Sequence, residues 1–222
     1  MNPILLILWV GVLACTALHP FDKVKKSIDK KYFTGIIEYQ YSYESNVLNS
    51  DSLKRVKPFK SLFRYDNNDY QSQFIGQDTL TYYYSGKLNT CLSQTNSQQN
   101  YECEDYGILT DSIIYFKVYD ADEKVIGHPC KIVEFQTNYF WNKYYISADL
   151  KIAPDTYQKH LAYNWSFYGD KADGGLILKL EHRFKNYTMK GIVVELKKFE
   201  DNFNALEIGE NLIEEVCIRN KK

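Results

Sequence analysis

The chain has 222 residues, enough for one substantial domain, and a second separate core is not expected at this length. Its formal net charge is −1, so it lacks the basic excess of nucleic-acid-binding proteins and the polybasic patch of many membrane-surface proteins. Aromatic residues make up 16% of the chain and include 20 tyrosines. A high tyrosine content favours β-strands, in which the tyrosine ring can be half buried while its hydroxyl stays hydrated.

The N-terminus predicts export. An uncharged apolar run covers residues 4–14, is too short to span a bilayer and has the size of a signal-peptide core, so residues 1–17 are predicted to be a signal peptide. Cleavage after Ala17 is one alternative, and lipidation of Cys15 at the end of a Val-Leu-Ala-Cys lipobox is the other. A buried first helix of a cytosolic protein is a third interpretation. The lysine-rich residues 18–32 are then a tether. The expected location is the periplasm, the outer membrane or the medium, with membrane contact only through the N-terminal anchor.

Four further cysteines fit an oxidising compartment, in which they can form disulfides. Cys91 and Cys103 flank a polar tip between two strand-like runs, so a bridge across a hairpin is predicted there. Cys130 and Cys217 would then form a second bridge that closes a long loop. The alternative is that the second pair stays as free, buried thiols.

Residues 34–44 form the clearest predicted strand, because apolar and polar side chains alternate along them. Ile37, Tyr39, Tyr41 and Tyr43 share one face, and polar residues occupy the other. One face of this strand is therefore expected to lie against a core.

A short helix is predicted next at residues 52–57, because Asn49 and its neighbours offer N-cap oxygens and Pro58 stops the helix. Short strands separated by turn residues then follow at regular spacing, which favours an antiparallel meander over alternating strands and helices. The predicted strands are residues 61–65, 70–75, 80–85, 88–92, 101–106, 113–119, 131–136 and 139–147.

The last third of the chain is organised around residues 174–199. Two glycines open this stretch, and the apolar run at residues 176–180 is typical of a strand buried on both faces. A second strand precedes Phe199, a closing helix is predicted at residues 209–216, and residues 156–168 are ambiguous between helix and loop. The predicted fold is all-β: residues 33–222 form one domain, a single curved antiparallel sheet or open half-barrel with one to three short helices.

Three motifs carry a family resemblance. Residues 127–131, GHPCK, resemble the Gly-x-x-Cys strand opening of the GLPGLI-type family of secreted bacterial proteins, and residues 144–154 resemble its tyrosine strand running into a D-L-x-I bend. Residues 174–178, GGLIL, resemble the signature itself, although its proline is absent and residues 171–173 stand where Gly-Leu is expected. This resemblance implies export and a β-rich fold without an assigned chemistry. The layout is also similar to LolA/LolB-like lipoprotein carriers, whose unclosed barrels hold acyl chains, which implies lipid binding by analogy.

Motifs for catalysis are absent from the sequence. It contains no Gly-x-Ser-x-Gly, P-loop, His-Glu-x-x-His or Cys-x-x-Cys motif, so no catalytic residue, metal ligand or cofactor is predicted. His128 beside Cys130 is more typical of a strand end than of a metal site. Carboxylates on the predicted strands are typical of solvated faces, although two of them facing each other in a cleft would suit a glycosidase. They are Glu38, Glu134, Glu181 and Glu195.

The aromatic excess is the remaining functional signal. If the sheet curls, its concave face becomes an apolar wall for an acyl chain; otherwise the same rings fill a core. The candidate ligand-face aromatics are Tyr39, Tyr41, Tyr43, Phe63, Tyr65, Tyr82 and Tyr84. We expect a non-enzymatic cell-envelope protein that binds or carries an apolar or acyl ligand, its partner being lipid or a lipoprotein acyl chain. The alternative is an envelope or surface interaction protein with a filled core, and an enzyme is the third choice.

Overall fold

The structure, a computed structural model, describes residues 31–66, 68–97, 100–199 and 207–218. Within these residues the strands form one antiparallel sheet of 11 members. The strands are β1 (Gly35–Glu44), β2 (Lys60–Asp66), β3 (Asp69–Ile75), β4 (Thr79–Ser85), β5 (Thr90–Thr95), β6 (Glu102–Asp105), β7 (Ile113–Asp120), β8 (Cys130–Thr137), β9 (Trp141–Lys151), β10 (Gly175–Arg183) and β11 (Thr188–Lys198). The short helices are α1 (Ser50–Val56), α2 (Trp165–Lys171) and α3 (Glu207–Ile213), and α3 continues as a π-helical turn, Glu214–Ile218.

The sheet consists of two meanders joined at its centre. Its order is β6-β5-β4-β3-β2-β1-β11-β10-β9-β8-β7, so the first and last strands pair in the middle. The two halves of the chain therefore meet along the pairing of β1 with β11, where Tyr41 lies opposite Gly191. The sheet has two edges, β6 and β7, which are consecutive in the chain.

The short link between these edge strands requires the sheet to curl. From Asp105 to Ile113 the chain reaches at most roughly 29 Å, because each residue advances about 3.6 Å at most. Ten inter-strand spacings of about 4.8 Å would separate the edges of a flat 11-stranded sheet by roughly 48 Å. The link can join them only if the edges approach each other. The structure thus confirms the predicted curved, open antiparallel sheet with few helices.

The segment between β9 and β10 packs into the concave face. It contains 3₁₀ turns at Pro154–Thr156 and Ala162–Asn164 and ends in α2. Its side chains contact both meanders, since Trp165 lies 5.0 Å from Tyr70 and Tyr168 lies 4.7 Å from Tyr144, measured between ring centroids. We call residues 152–174 the insert. From the sequence, residues 156–168 were ambiguous between helix and loop. The structure shows turns followed by a two-turn helix, and the insert closes one end of the half-barrel.

Two glycines fix the junction between the insert and β10. Gly174 has φ of +67°, a backbone conformation that L-residues rarely adopt. A Cβ on Gly175 would lie 2.1 Å from the carbonyl oxygen of Ser147, so this position excludes any side chain. The glycine pair noted in the sequence is therefore required by a left-handed turn and by a close backbone approach.

The predicted bridge between Cys91 and Cys103 is wrong. Cys103 bonds to Cys217, and Cys91 is a free, buried thiol. Residues directly opposite each other on neighbouring strands share a face, and the register pairs Cys91 with Glu104 and Leu92 with Cys103. The two cysteines therefore point to opposite faces of the sheet, because successive side chains of a strand alternate. Cys103 faces the convex side, where α3 and its π-helical turn pack.

The predicted bridge between Cys130 and Cys217 is wrong for a different reason. Cys130 belongs to the large core cluster with Val125 and Val133, whereas Cys217 packs with Leu92 and Ile213 in a separate cluster and bonds to Cys103. Cys130 is a free, buried thiol, and burial raises its pKa. The alternative that Cys130 and Cys217 stay as free, buried thiols is therefore correct for Cys130 and wrong for Cys217, and the free thiol of Cys91 was not expected.

Most predicted elements lie within a few residues of the observed ones. The Asn49 side chain caps α1, accepting hydrogen bonds from the backbone amides of Asp51 at 2.9 Å and Ser52 at 3.2 Å. Strand β9 continues through Lys151, beyond the predicted end at residue 147. The predicted signal peptide, Cys15 and most of the tether lie outside the described residues. Among the helices that the structure describes, none combines the length and apolar character needed to cross a membrane.

Candidate functional site

The concave face contains a cavity of about 340 Å³. Its walls come from β1 to β4 on one side, β9 to β11 on the other, and the insert at one end. The lining side chains are predominantly aromatic or aliphatic, and every strand of this wall contributes at least one of them. The lining residues are Tyr39, Tyr41, Phe63, Tyr65, Tyr70, Ser72, Phe74, Tyr82, Tyr106, Tyr144, Ile152, His160, Tyr163, Trp165, Tyr168, Gly175, Leu176, Ile177, Leu180, His182 and Met189.

Five of the seven candidate aromatics line this cavity: Tyr39, Tyr41, Phe63, Tyr65 and Tyr82.

The other two candidates have structural roles. The hydroxyl of Tyr43 donates to the carbonyl of Pro58 at 2.6 Å, which fixes that ring at the strand end. Tyr84 stacks on Tyr70 with 4.9 Å between centroids, behind the cavity wall, and donates to Oδ1 of Asn89. Face alternation places a ring on the correct side of a strand but does not show whether another ring covers it.

Several tyrosine hydroxyls of the wall form hydrogen bonds with other protein atoms. Tyr39 donates to the carbonyl of Ile177 at 2.5 Å, which joins the two meanders across the sheet. The hydroxyl of Tyr41 lies 2.6 Å from Oγ of Ser61. Desolvation raises the pKa of Tyr41 to about 12 and raises that of Tyr39 well above its ordinary value, so both rings stay neutral at physiological pH.

His160 is a neutral histidine with both ring nitrogens hydrogen bonded. Its Nδ1 lies 3.0 Å from the carbonyl of Ala162, so Nδ1 carries the proton. Nε2 therefore accepts from the hydroxyl of Tyr70 at 3.2 Å. Burial lowers the pKa of His160 to about 3, and the ring is 1% exposed. This histidine stabilises the insert against β3 and adds no charge to the cavity.

His182 lies near the open part of the wall. Its ring is 5.3 Å from that of Tyr144, and burial lowers its pKa to about 4. The His182 side chain is partly buried. None of the lining residues has a side chain that is charged at neutral pH.

The cavity has a closed end and an open end. At the closed end the insert contributes Trp165 and Tyr168, both buried. At the other end Phe74, Tyr82 and Met189 are only partly buried. Phe74 and Tyr82, packed edge to face at 5.9 Å, also line a shallow groove of about 900 Å³ outside the cavity. The cavity thus opens towards the turns that include α1 and residues 76–78.

Sequence reasoning missed much of this wall. Tyr70 and Phe74 alternate on β3 and could have been found, since the register places them opposite Tyr65 and Ser61. Trp165, Tyr168 and His160 had no periodic signal, because the turns of the insert lack a repeating pattern. Their positions depend on the packing of the insert.

The carboxylates considered for a glycosidase pair do not line the cavity. Glu38 pairs with Lys60 at 2.8 Å, Glu134 with Lys143 at 3.4 Å, and Glu181 with Arg183 at 2.7 Å. His128 pairs with Asp149 at 3.0 Å instead of with a cysteine. Across the residues that the structure describes, no group of three or more acidic, histidine or cysteine side chains is arranged to hold a metal ion.

Comparison with known proteins gives little information. No family model matches the chain, and no curated protein sequence matches it. Two structures of PNGF-II, in space groups P21 and C2, resemble it with TM-scores of 0.46 and 0.45 at 16% and 14% identity. Each comparison covers 78% of this chain and 29% of the PNGF-II chain, so the chain spans less than a third of that protein. The resemblance to the GLPGLI-type family stays a prediction.

Proposed function

We propose that the protein binds a neutral apolar ligand, such as an acyl chain, in the concave cavity. The observation that carries this proposal is a cavity of about 340 Å³ lined by aromatic and aliphatic side chains and by no charged one. Ligand sites in proteins are concave, mostly apolar and about 300 Å³ or larger. Export to the periplasm, outer membrane or medium belongs to the same proposal, and the disulfide supports it, because such bridges persist in oxidising compartments.

The wall favours an apolar ligand over a polar one. The hydroxyls of Tyr39, Tyr41 and Tyr70 already bond to protein atoms, so they offer few free partners to a buried polar group. A polar ligand would have to replace its hydrogen bonds to water with bonds to the remaining hydroxyls of the wall, such as those of Tyr65, Tyr144 and Tyr168. An anionic group inside the cavity would meet neutral histidines instead of a lysine or arginine. Each contact between a neutral acyl chain and the wall removes apolar surface from water, and this favours binding.

The same cavity argues against an interaction protein with a filled core. A filled core would leave no such space, whereas this cavity of about 340 Å³ is open at one end and accessible to a ligand. A cavity of this size is therefore better explained by a ligand that occupies it than by packing alone.

The proposal is tested by displacement of a neutral fluorescent probe. N-phenyl-1-naphthylamine is bound to the full chain and displaced with a monoacylglycerol, and the fatty acid of the same length is titrated in parallel. We expect displacement by the neutral lipid and weaker displacement by the anion. Failure of both the probe and the monoacylglycerol to bind would refute the proposal.

A matched pair of variants tests whether the probe binds in the cavity. Leu180 lines the cavity, so L180W should fill it and lower probe affinity by roughly tenfold or more. Ile192 is 44% exposed on the neighbouring strand and does not line the cavity, so I192W should leave affinity unchanged. Equal affinities in the two variants would mean that the probe binds elsewhere.

A further inference from the structure

One end of the half-barrel exposes a cluster of apolar side chains. The chain between β1 and β2 carries α1, and residues 47–59 of this connection, which we call the rim, hold four of them. Val47 is 70% exposed, Leu48 41%, Val56 68% and Phe59 53%. Soluble domains expose single apolar residues routinely, but a cluster at one site indicates a surface that contacts something apolar.

Neighbouring turns extend this surface. The turn between β10 and β11 is joined to the start of the connection, since Oγ of Ser45 donates to the carbonyl of Asn186 at 2.6 Å. The turn between β8 and β9 lies beside it, because the rings of Phe140 and Phe184 are 6.1 Å apart. That turn presents Tyr139, which is 74% exposed. Antiparallel pairing brings these turns to the same end of the sheet.

The rim borders the open end of the cavity. Val56 and Pro58 line the shallow groove that shares Phe74 and Tyr82 with the cavity. The backbone fixes this position, since the amide of Phe59 donates to the carbonyl of Ile75 at 3.0 Å. Whatever covers the rim is therefore adjacent to the cavity mouth.

The charged residues of the rim indicate the charge of the partner that it contacts. It carries three basic residues, Lys54, Arg55 and Lys57, and one acidic residue, Asp51, so its net charge is +2 (three minus one) although the whole chain is −1. Lys57 lies 5.2 Å from the centroid of the Tyr187 ring, and Lys54 lies 3.8 Å from Asp51.

Other charged groups at this end carry both signs. Asp78 on the far wall of the groove accepts a hydrogen bond from the amide of Thr79. Glu44 pairs with Lys190 at 2.7 Å, and Lys185 is exposed in the β10–β11 turn. The rim thus combines exposed apolar side chains with a local excess of positive charge.

We infer that the rim docks on an anionic lipid surface, with Val56 and Phe59 inserted between headgroups and Lys54, Arg55 and Lys57 facing the phosphates. Exposed apolar residues beside basic ones are the pattern of segments that lie in a membrane interface, where buried apolar area and attraction to anionic lipid both contribute. This inference does not depend on ligand binding. If the cavity does take an acyl chain, docking at this end places the cavity mouth against the bilayer.

A second exposed apolar pair lacks this charge. Ile108 and Leu109, 61% and 52% exposed, lie in the link between β6 and β7. Residues 106–112 include an aspartate and no lysine or arginine. This pair is therefore the matched control for the rim, because it has similar apolar exposure and its link contains no lysine or arginine.

The inference is tested by flotation of the full chain with vesicles of phosphatidylcholine alone or with 30% phosphatidylglycerol. We expect binding to the anionic vesicles that falls as salt increases. V56S/F59S should reduce the bound fraction roughly tenfold, because the inserted apolar area is lost, whereas I108S/L109S should leave it unchanged. Equal binding by both double variants, or no binding by the parent, would overturn the inference, and the rim would then be assigned to a protein partner.

Tryptophan quenching separates docking through the rim from attachment through residues 1–17. F59W and I108W are each compared with the parent on vesicles containing brominated lipid. We expect the added fluorescence of F59W to be quenched and that of I108W not to be. Quenching of neither or of both would contradict docking through the rim. L180W should still bind vesicles, so failure of ligand binding and failure of docking are distinguishable.

Discussion

The hydroxyl of Tyr70 on β3 donates to Nε2 of His160 in the insert across 3.2 Å, and the two residues are 90 positions apart in the chain. The ring of His160 also lies 4.2 Å from Tyr106 and 4.7 Å from Trp165. This contact attaches the insert to the first meander and closes one end of the cavity. The hydrogen bond from Tyr70 forms only while His160 is neutral, because Nε2 of His160 must accept it.

Acid should therefore destabilise the protein through His160. Its pKa is about 3 in the folded state against about 6.5 when unfolded, so the unfolded state binds more protons between these values. The stabilisation is complete above pH 6.5 and is lost as the pH falls towards 3. Between pH 7 and pH 5 this predicts a loss of about 2 kcal/mol in the free energy of unfolding. Urea titrations followed by circular dichroism at the two pH values measure it.

The matched variant is H160Q, which cannot titrate. It should be less stable than the parent at pH 7 and should lose roughly 2 kcal/mol less on acidification. His182, whose pKa is also lowered, leaves a residual dependence on pH in both proteins. An identical pH slope in H160Q and the parent would show that His160 is not the titrating group.

Tyr106 should be among the most sensitive core positions. It is 3% exposed, and its carbonyl accepts the amides of Leu161 at 2.7 Å and Ala162 at 3.1 Å. Its ring lies between His160 and Tyr84. We expect Y106A to lower the free energy of unfolding by about 3 to 5 kcal/mol, as for other buried aromatic residues cut back to alanine. Y115A, at a tyrosine that is 51% exposed on β7, should change it by less than about 0.5 kcal/mol. If chemical denaturation showed that Y106A and Y115A lose the same free energy of unfolding, the assignment of Tyr106 to the core would be contradicted.

Gly191 gives space to the ring of Tyr41. A Cβ there would lie 2.7 Å from Cε1 of Tyr41 and 3.0 Å from Cγ of Leu180, both in the cavity wall. G191A should therefore cost about 1 to 3 kcal/mol of stability and weaken probe binding, because the ring must move into the cavity. G107A is the control, since its Cβ would meet only the ends of the Asp105 and Asn89 side chains. If G191A keeps parental stability and affinity, the wall is more adaptable than the contacts indicate.

The bridge between Cys103 and Cys217 should stabilise the convex face. It joins residues 114 positions apart and attaches the π-helical turn to the edge strand β6. The double variant C103S/C217S should be less stable by roughly 2 to 4 kcal/mol, since the unfolded chain regains the entropy of an open loop. Peptide mapping of the non-reduced protein should recover the Cys103–Cys217 pair, with Cys91 and Cys130 alkylated only after unfolding. Recovery of Cys91 paired with Cys103 would contradict the register of β5 and β6.

Local sequence patterns determined the strands, the capped helix α1 and the choice of an antiparallel meander. Alternation along β1 assigned Ile37, Tyr39 and Tyr43 to the buried face, and the side-chain oxygen of Asn49 began α1, because these effects act within a few residues. The short link between β6 and β7 also implied that the sheet curves. Once the strand order was known, these two strands were its edges, and so short a link can join them only if the edges approach each other.

Tertiary structure decided the rest. The partner of Cys103 depended on a register in which a shift of one residue exchanges the faces of a strand, and no local pattern fixes that register. The closed end of the cavity depended on where an aperiodic insert packs, which brought His160 to Tyr70 across 90 residues. Short-range periodicity reports which side of a strand is buried. It does not report what lies against that side, because the covering group comes from a distant part of the chain.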